Sequence, residues 1–179
     1  TRKESSAASD VYKRQLTNSS SIAIPAGGVA APDHSPGSLY PSPITINGLT
    51  GVTTKVTVQL HNLTHSNVRD VDVLLVGPGG QSTVVMSDVG GNNAIAGANL
   101  TFDDSAASAA PDGPMGSGTY KPTNLTNGFS GDEWPAPAPA GPYGTSFAAF
   151  NGTNPNGTWN LYVADDANGD AGTLAGGWT

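Results

Sequence analysis

The chain has 179 residues with 24 glycines, 14 prolines, no cysteine and only 12% charged residues, which excludes a coiled-coil protein, a disulfide scaffold, a thiolate zinc site and a cysteine nucleophile. The net charge is −7, and so few cations disfavour nucleic acid and anionic lipid as partners, because both require clustered Lys and Arg. No apolar run approaches the length of a bilayer crossing, so we expect no membrane span.

Residues 1–15 differ from the rest of the chain because they hold four of its seven basic residues and show no strand alternation. The segment 10–15, DVYKRQ, resembles one reading frame of a transposon-end adapter used in sequencing libraries. We therefore expect residues 1–15 to be a non-native or disordered tail and residues 16–179 to be the domain. On this interpretation the domain is a fragment of a longer protein.

Alternation of apolar and polar residues with period two predicts the first strong strands of the domain. Residues 55–61 and 70–76 alternate in this way, and a Gly/Pro turn ends the second strand. Residues 83–86 are then the return strand of a hairpin. The side chains that we expect to point from these strands into the core are Val56, Val58, Leu60 and Val73.

Further strands are predicted at residues 21–24, 44–46, 99–102, 147–150, 158–164 and 174–178. The pattern is strongest where Trp159, Leu161 and Val163 alternate, and Trp178 supplies a second large ring for the core. The fold class predicted is all-β, a jelly-roll-like β-sandwich of about eight short antiparallel strands. Its last strand is truncated at the end of the sequence.

Residues 103–146 show no strand pattern and include the run PAPAP, which favours the polyproline II conformation. Such a long connection within a compact domain is unusual. We expect a long irregular insertion that runs over the surface and is pinned by the aromatic side chains Tyr120, Phe129, Trp134 and Tyr143.

Two acidic segments carry the candidate metal-binding residues. The loop DDANGD at 165–170 clusters hard oxygen donors of the kind that calcium binds six to eight at a time. Asp70 and Asp72 form the other segment, and we expect them about 6.6 Å apart on one face of the strand at 70–76. Solvated surface carboxylates are the alternative for both segments. Calcium is the one cofactor that the sequence suggests, with candidate ligands Asp165, Asp166, Asn168, Asp170, Asp70 and Asp72.

The segment GTSFAA at 144–149 partly matches the nucleophile motif of subtilisin-like proteases, which would make Ser146 a catalytic serine. A serine nucleophile needs a base and an orienting acid, and the companion His and Asp motifs of those enzymes are absent from the sequence. We therefore expect Ser146 to lie in a loop that enters a strand. His61 and His65 share no helical face and lack thiol partners, so we expect no zinc site there.

Three stretches, taken in order, resemble the P domain, also called the Homo B domain, of proprotein convertases and bacterial subtilisin-like proteases. They are VTVQLH and DVDVLLVGPGG in residues 56–80, FNG and NGTWNLYV in residues 150–163, and the Asp, G-x-L and Trp positions of residues 165–178. The resemblance covers most of residues 16–179. The chain departs from the family pattern in the insertion at 103–146 and in its truncated last strand.

The resemblance implies a non-catalytic accessory domain of a larger secreted bacterial protein that carries a subtilisin-like serine endopeptidase. Its partner is then the protease domain or another domain of the same parent chain, and its location is extracellular or on the cell surface. The alternative is a stand-alone adhesion or carbohydrate-binding jelly-roll module whose exposed aromatics, Tyr120, Trp134 and Tyr143, stack on an extracellular polymer. We do not expect the chain itself to be an enzyme, because it lacks a complete nucleophile or acid–base set.

Overall fold

The computed structural model describes residues 13–25, 34–125 and 134–179, which form a sandwich of two β-sheets. The all-β prediction is therefore confirmed. The strands are β1 Ile22–Ile24, β2 Ser35–Pro36, β3 Ser42–Ile46, β4 Val58–His65, β5 Val71–Val76, β6 Ser82–Ser87, β7 Ile95–Phe102, β8 Gly118–Tyr120, β9 Thr123–Asn124, β10 Gly157–Asp165 and β11 Gly172–Leu174. Two short 3-10 helices, Val68–Asp70 and Phe147–Phe150, complete the regular structure of the described residues.

The strand order is that of a jelly roll. One sheet runs β1-β11-β4-β7-β8, and the other runs β2-β10-β5-β6-β9, with β3 also paired to β10. We treat β2 and β3 as one interrupted strand beside β10 and set aside β8 and β9. Eight strands remain. When they are renumbered 1 to 8 in chain order, one sheet has the order 1-8-3-6 and the other has the order 2-7-4-5. All their pairings are antiparallel, and successive strands mostly alternate between the two sheets.

The main core lies between the two sheets. Trp159 and Trp178 are both buried there, and each indole N–H is satisfied, by Pro155 O at 2.9 Å and Ser42 Oγ at 3.0 Å. A buried indole N–H usually finds such a partner. Of the remaining predicted core residues, Val56 is half-buried before β4, and the buried ones are Val58, Leu60, Val73, Leu161 and Val163.

Three predicted strands differ clearly from those observed. The strand expected at 174–178 is β11 Gly172–Leu174, which a turn follows, and Trp178 pairs only through isolated bridges to Asn18 and Leu60. The strand expected at 55–61 begins three residues later and continues to His65, across irregularities in its pairing with β7. The strand expected at 147–150 is instead the 3-10 helix Phe147–Phe150. Its two phenylalanines are buried and three residues apart, which places them on the same face of a 3-10 turn. The prediction was wrong because aromatic residues with this spacing also suit one helical turn.

The insertion is less irregular than predicted, and its short strands add to both sheets. Within it, β8 pairs in parallel with β7 and β9 pairs in parallel with β6. Trp134 is buried on the outer face of the six-stranded sheet, with Tyr143 at a ring-centroid distance of 5.1 Å. Tyr120 packs near Phe102 on the other sheet. Phe129 lies outside the described residues, as do residues 1–12 of the predicted tail.

Candidate metal centre

The candidate site lies at the end of the sandwich where β10 finishes and β5 begins. The loop after β10 and the 3-10 turn before β5 are joined by the backbone, because Asp166 N donates to Asp70 O at 3.0 Å. Ser66, which follows β4, donates its amide to Ala171 O at 3.2 Å. These hydrogen bonds bring carboxylates from both acidic segments of the sequence to one end of the molecule.

His65 and Asp165 form an ion pair between the two sheets. His65 ends β4 in one sheet, Asp165 ends β10 in the other, and Nε2 lies 2.9 Å from Oδ2 with both side chains fully buried. The other ring nitrogen, Nδ1, lies 2.7 Å from Asn67 O. Although burial lowers the pKa of His65, the hydrogen bonds to Asp165 and Asn67 raise it overall. An imidazolium, which donates from both nitrogens, satisfies both oxygens.

Asp70 lies beside this pair. Its Oδ2 accepts a hydrogen bond from Asn67 Nδ2 at 2.8 Å, and its carboxyl group also hydrogen-bonds that of Asp170. Burial, followed by the charges of Asp165 and Asp170, raises the pKa of Asp70 to about 6. Asp170 in turn accepts a hydrogen bond from the Ser66 hydroxyl at 2.7 Å. We call Asp70, Asp165, Asp170 and His65 the inner group.

A second cluster lies on the outer face of the six-stranded sheet. Asp72 belongs to β5, whose Leu74 and Val76 face outward while the alternate residues face the main core. His34, Asp72 and Asp166 each offer one ligand atom, and these three atoms lie within 4.8 Å of one another. His34 Nε2 is 3.7 Å from Asp72 Oδ2. We call these three residues the outer triad.

Comparison with protein-family models, with curated proteins and with solved structures finds no match. The sequence motifs and the geometry of the described residues are therefore what bears on function. In those residues no helix is both long and apolar enough to cross a membrane.

The six predicted calcium ligands divide between the two sides of the sheet. Asp70, Asp165 and Asp170 belong to the inner group, Asp72 and Asp166 to the outer triad, and Asn168 is exposed in the loop between Asp166 and Asp170. The expectation that Asp70 and Asp72 share the exposed face of one strand was wrong. Asp70 closes the 3-10 turn before β5, and both carboxylates are buried.

Sequence reasoning missed two of the residues that organise this end of the molecule. His34 lies in a segment with no strand alternation, and His65 was separated from its acidic partner by 100 positions of sequence. The other candidate histidine, His61, points elsewhere, with Nε2 2.8 Å from Thr179 Oγ1. Asn67 and Ser66 carry no sequence signal that distinguishes them from other loop residues.

Ser146, the residue of the protease-like motif, caps the second 3-10 helix. Its hydroxyl donates to Asp104 Oδ2 at 2.9 Å, and Asp104 also accepts the amides of Phe147 and Ala148 at 3.0 Å each. A serine and an aspartate that accept the first amides of a helical turn stabilise its start. The hydrogen-bond partners that the structure gives Ser146 are thus those of a capping residue.

Proposed function

We propose that this chain is a non-catalytic accessory module of a secreted bacterial protein with a subtilisin-like endopeptidase domain, which the module stabilises or regulates. The observation that carries the proposal is the placement of the three sequence stretches that resemble the P domain. They fall on β4 and β5, on β10, and on β11 with the turn that follows it, except that FNG at 150–152 ends the second 3-10 helix. β5 pairs with β10 and β4 pairs with β11, so the stretches are neighbours at the centre of the two sheets.

Calcium is the cofactor proposed for the acidic end of this module. Within the inner group, Asp70 and Asp170 suit calcium in donor chemistry, because their carboxyl groups contact each other and a shared cation relieves the repulsion between their charged forms. Asn168 offers an amide oxygen on the same loop. Asp165 is engaged by His65 and by the Ala167 amide at 3.0 Å, so it is a supporting residue in this proposal.

Carbohydrate binding, the alternative function, has less support. It was predicted from exposed aromatics of the insertion, but Trp134 is buried and both Tyr120 and Tyr143 are half-buried. The Trp134 and Tyr143 rings pack against each other edge to face. A sugar platform needs an open ring face, so a protein partner is the better-supported choice.

The test of the accessory function begins with the parent gene. We expect the gene that encodes residues 16–179 to carry protease Asp, His and Ser motifs in the same reading frame. The full-length parent is then compared with a parent that lacks residues 16–179, by secreted yield and by the half-life of peptidase activity at elevated temperature. A lower secreted yield or a shorter half-life on deletion supports the proposal. The matched control is a parent with the substitution Asp112→Asn, which changes an exposed residue.

Two results contradict the accessory function. One is a parent that encodes a cell-wall sorting tail and no protease, which selects the adhesion alternative. The other is a protease whose yield and half-life are the same with and without residues 16–179.

A further inference from the structure

The outer triad is built by the register of three adjacent strands. Ala164 of β10 lies directly opposite Asp72 of β5 on one side and Pro36 of β2 on the other. Continuing the β2–β10 register by two residues places His34 opposite Asp166. Because side chains two residues apart share a face, His34, Asp166 and Asp72 all project from the outer face of the sheet. The pairing of the three strands therefore brings three potential ligands together on one face of the sheet.

The spacing of these ligands is that of a metal site. Adjacent ligands of a tetrahedral zinc ion lie about 3.3–3.5 Å apart, given metal–ligand bonds of about 2.0–2.2 Å. The distance from His34 Nε2 to Asp72 Oδ2 is 3.7 Å, longer than a hydrogen bond and close to this value. The third ligand atom lies within 4.8 Å of both. His34 and Asp166 are half-buried, and theirs are the side chains whose rotation would close the remaining gap.

The donor set indicates which cation the site takes. Calcium and magnesium bind through oxygen alone, whereas imidazole nitrogen is a ligand of zinc and of its first-row neighbours. One imidazole and two carboxylates also balance the charge of a divalent cation. Asp72 is only 1% exposed, so a cation beside it neutralises a carboxylate that is costly to hold charged away from water.

We propose that His34, Asp72 and Asp166 form a zinc site, with solvent at the fourth position, that ties the short strand β2 to β10 and β5. This inference does not depend on the accessory function. It also differs from the calcium proposal in place and chemistry, because calcium is assigned to the oxygen donors around Asp70 and Asp170. Zinc at the outer triad links three strands through their side chains, where β2 otherwise contributes only a two-residue ladder.

The experiment is a zinc titration of the full chain after chelator treatment, by calorimetry, in the presence of about 1 mM calcium. We expect one equivalent of zinc to bind and the melting temperature to rise with zinc concentration. The variants His34→Gln and Asp166→Asn each remove a direct ligand and should weaken zinc binding by at least the roughly 10–100-fold that loss of an outer-shell partner costs. The matched control is His61→Gln, which removes a histidine outside the triad and should leave zinc binding unchanged.

Asp72→Asn is a third variant, but its burial puts folding at risk. His34→Gln and Asp166→Asn change half-buried residues, and circular dichroism verifies that they fold. Cobalt gives an independent readout, because a four-coordinate site with a nitrogen ligand absorbs visible light more strongly than hydrated cobalt. The absence of zinc binding, unchanged binding in His34→Gln, or displacement of zinc by calcium at similar concentration would each overturn the proposal.

Discussion

At the scale of single residues, the ion pair between His65 and Asp165 is the most consequential polar contact in the core. Both side chains are fully buried, and they join the ends of strands that belong to different sheets. A buried pair of this kind does not add much stability by itself, because both groups lose their hydration. Its effect is that the burial of each side chain is tolerated only while the other is present.

We expect Asp165→Ala to destabilise the domain by about 3–5 kcal/mol, because the change leaves the buried His65 ring without the carboxylate that it pairs with. The double variant His65→Leu with Asp165→Leu should recover much of this loss, since no uncompensated charge remains. Urea unfolding in chelator measures both. If Asp165→Ala lowers the free energy of unfolding no more than the exposed ion-pair variant Lys55→Met does, the two buried side chains do not depend on each other.

The surface pair of Lys55 and Asp103 gives a prediction in pH. Burial alone would raise the pKa of Asp103, but hydrogen bonds from Lys55 Nζ and from Ser105 lower it to about 2 from an ordinary value of 3.8. Because the folded-state pKa lies below the unfolded one, the carboxylate stabilises the fold above pH 4. That stabilisation disappears as the pH falls from 4 to 2.

The variant Lys55→Met tests this sign. At pH 7 we expect it to cost about 0.2–1 kcal/mol, the range of exposed ion pairs. The cost should shrink as the pH falls below 4 and be mostly gone by pH 2, where Asp103 is about half protonated in the folded protein. Unfolding free energies from pH 2 to 7 measure it, and a cost that is constant across this range contradicts the assignment.

At the scale of secondary-structure elements, the loop after β10 carries the calcium proposal. We expect the melting temperature to be several degrees higher in about 1 mM calcium than in chelator. Asp170→Asn should remove most of this difference, because it takes one charge from the pair formed with Asp70. The control is Asp112→Asn, which changes an exposed acid that pairs with Arg69 and should leave the difference in melting temperature unchanged. An equal melting temperature with and without calcium rejects the proposal.

The strands that sequence predicted well carry a local signal, either alternation within the strand or a turn directly before it. β10 lies where the alternation of apolar and polar residues predicted it, and β6 lies where the hairpin after a Gly/Pro turn predicted it. β8 and β9 were missed because each is only two or three residues long and pairs in parallel with a strand distant in sequence. Such edge strands are specified by tertiary contacts and carry no local period.

The candidate site was predictable only in part, for the same reason. Clustered acids marked the loop after β10, and the strand after Asp70 was evident from its alternation. The register that places His34 beside Asp166 depends on β2, a strand of two residues with no alternation to read. Alternation places Asp72 on the side of β5 away from the core residue Val73, but the covering that buries this outer face is a property of the assembled fold.

At the scale of the whole molecule, the six-stranded sheet is covered on both faces. Its inner face packs on the other sheet, and its outer face carries a smaller cluster in which Trp134 packs with Leu74 and Tyr162. Tyr40 meets Tyr162 edge to face at 4.9 Å and donates a hydrogen bond to Pro135 O at 3.0 Å. The insertion therefore buries a sheet face that a two-layer sandwich leaves in water.

Two tryptophan variants distinguish the contributions of these two clusters. Trp159→Ala empties part of the inter-sheet core, and we expect a loss of about 3–5 kcal/mol in a single unfolding transition. Trp134→Ala removes the side chain that holds the insertion to the outer face, while the inter-sheet core stays intact. We expect a smaller loss of global stability, together with faster proteolytic cleavage within residues 134–146 under native conditions. Equal global losses with no change in cleavage would show that the outer cluster and the inter-sheet core unfold as one unit.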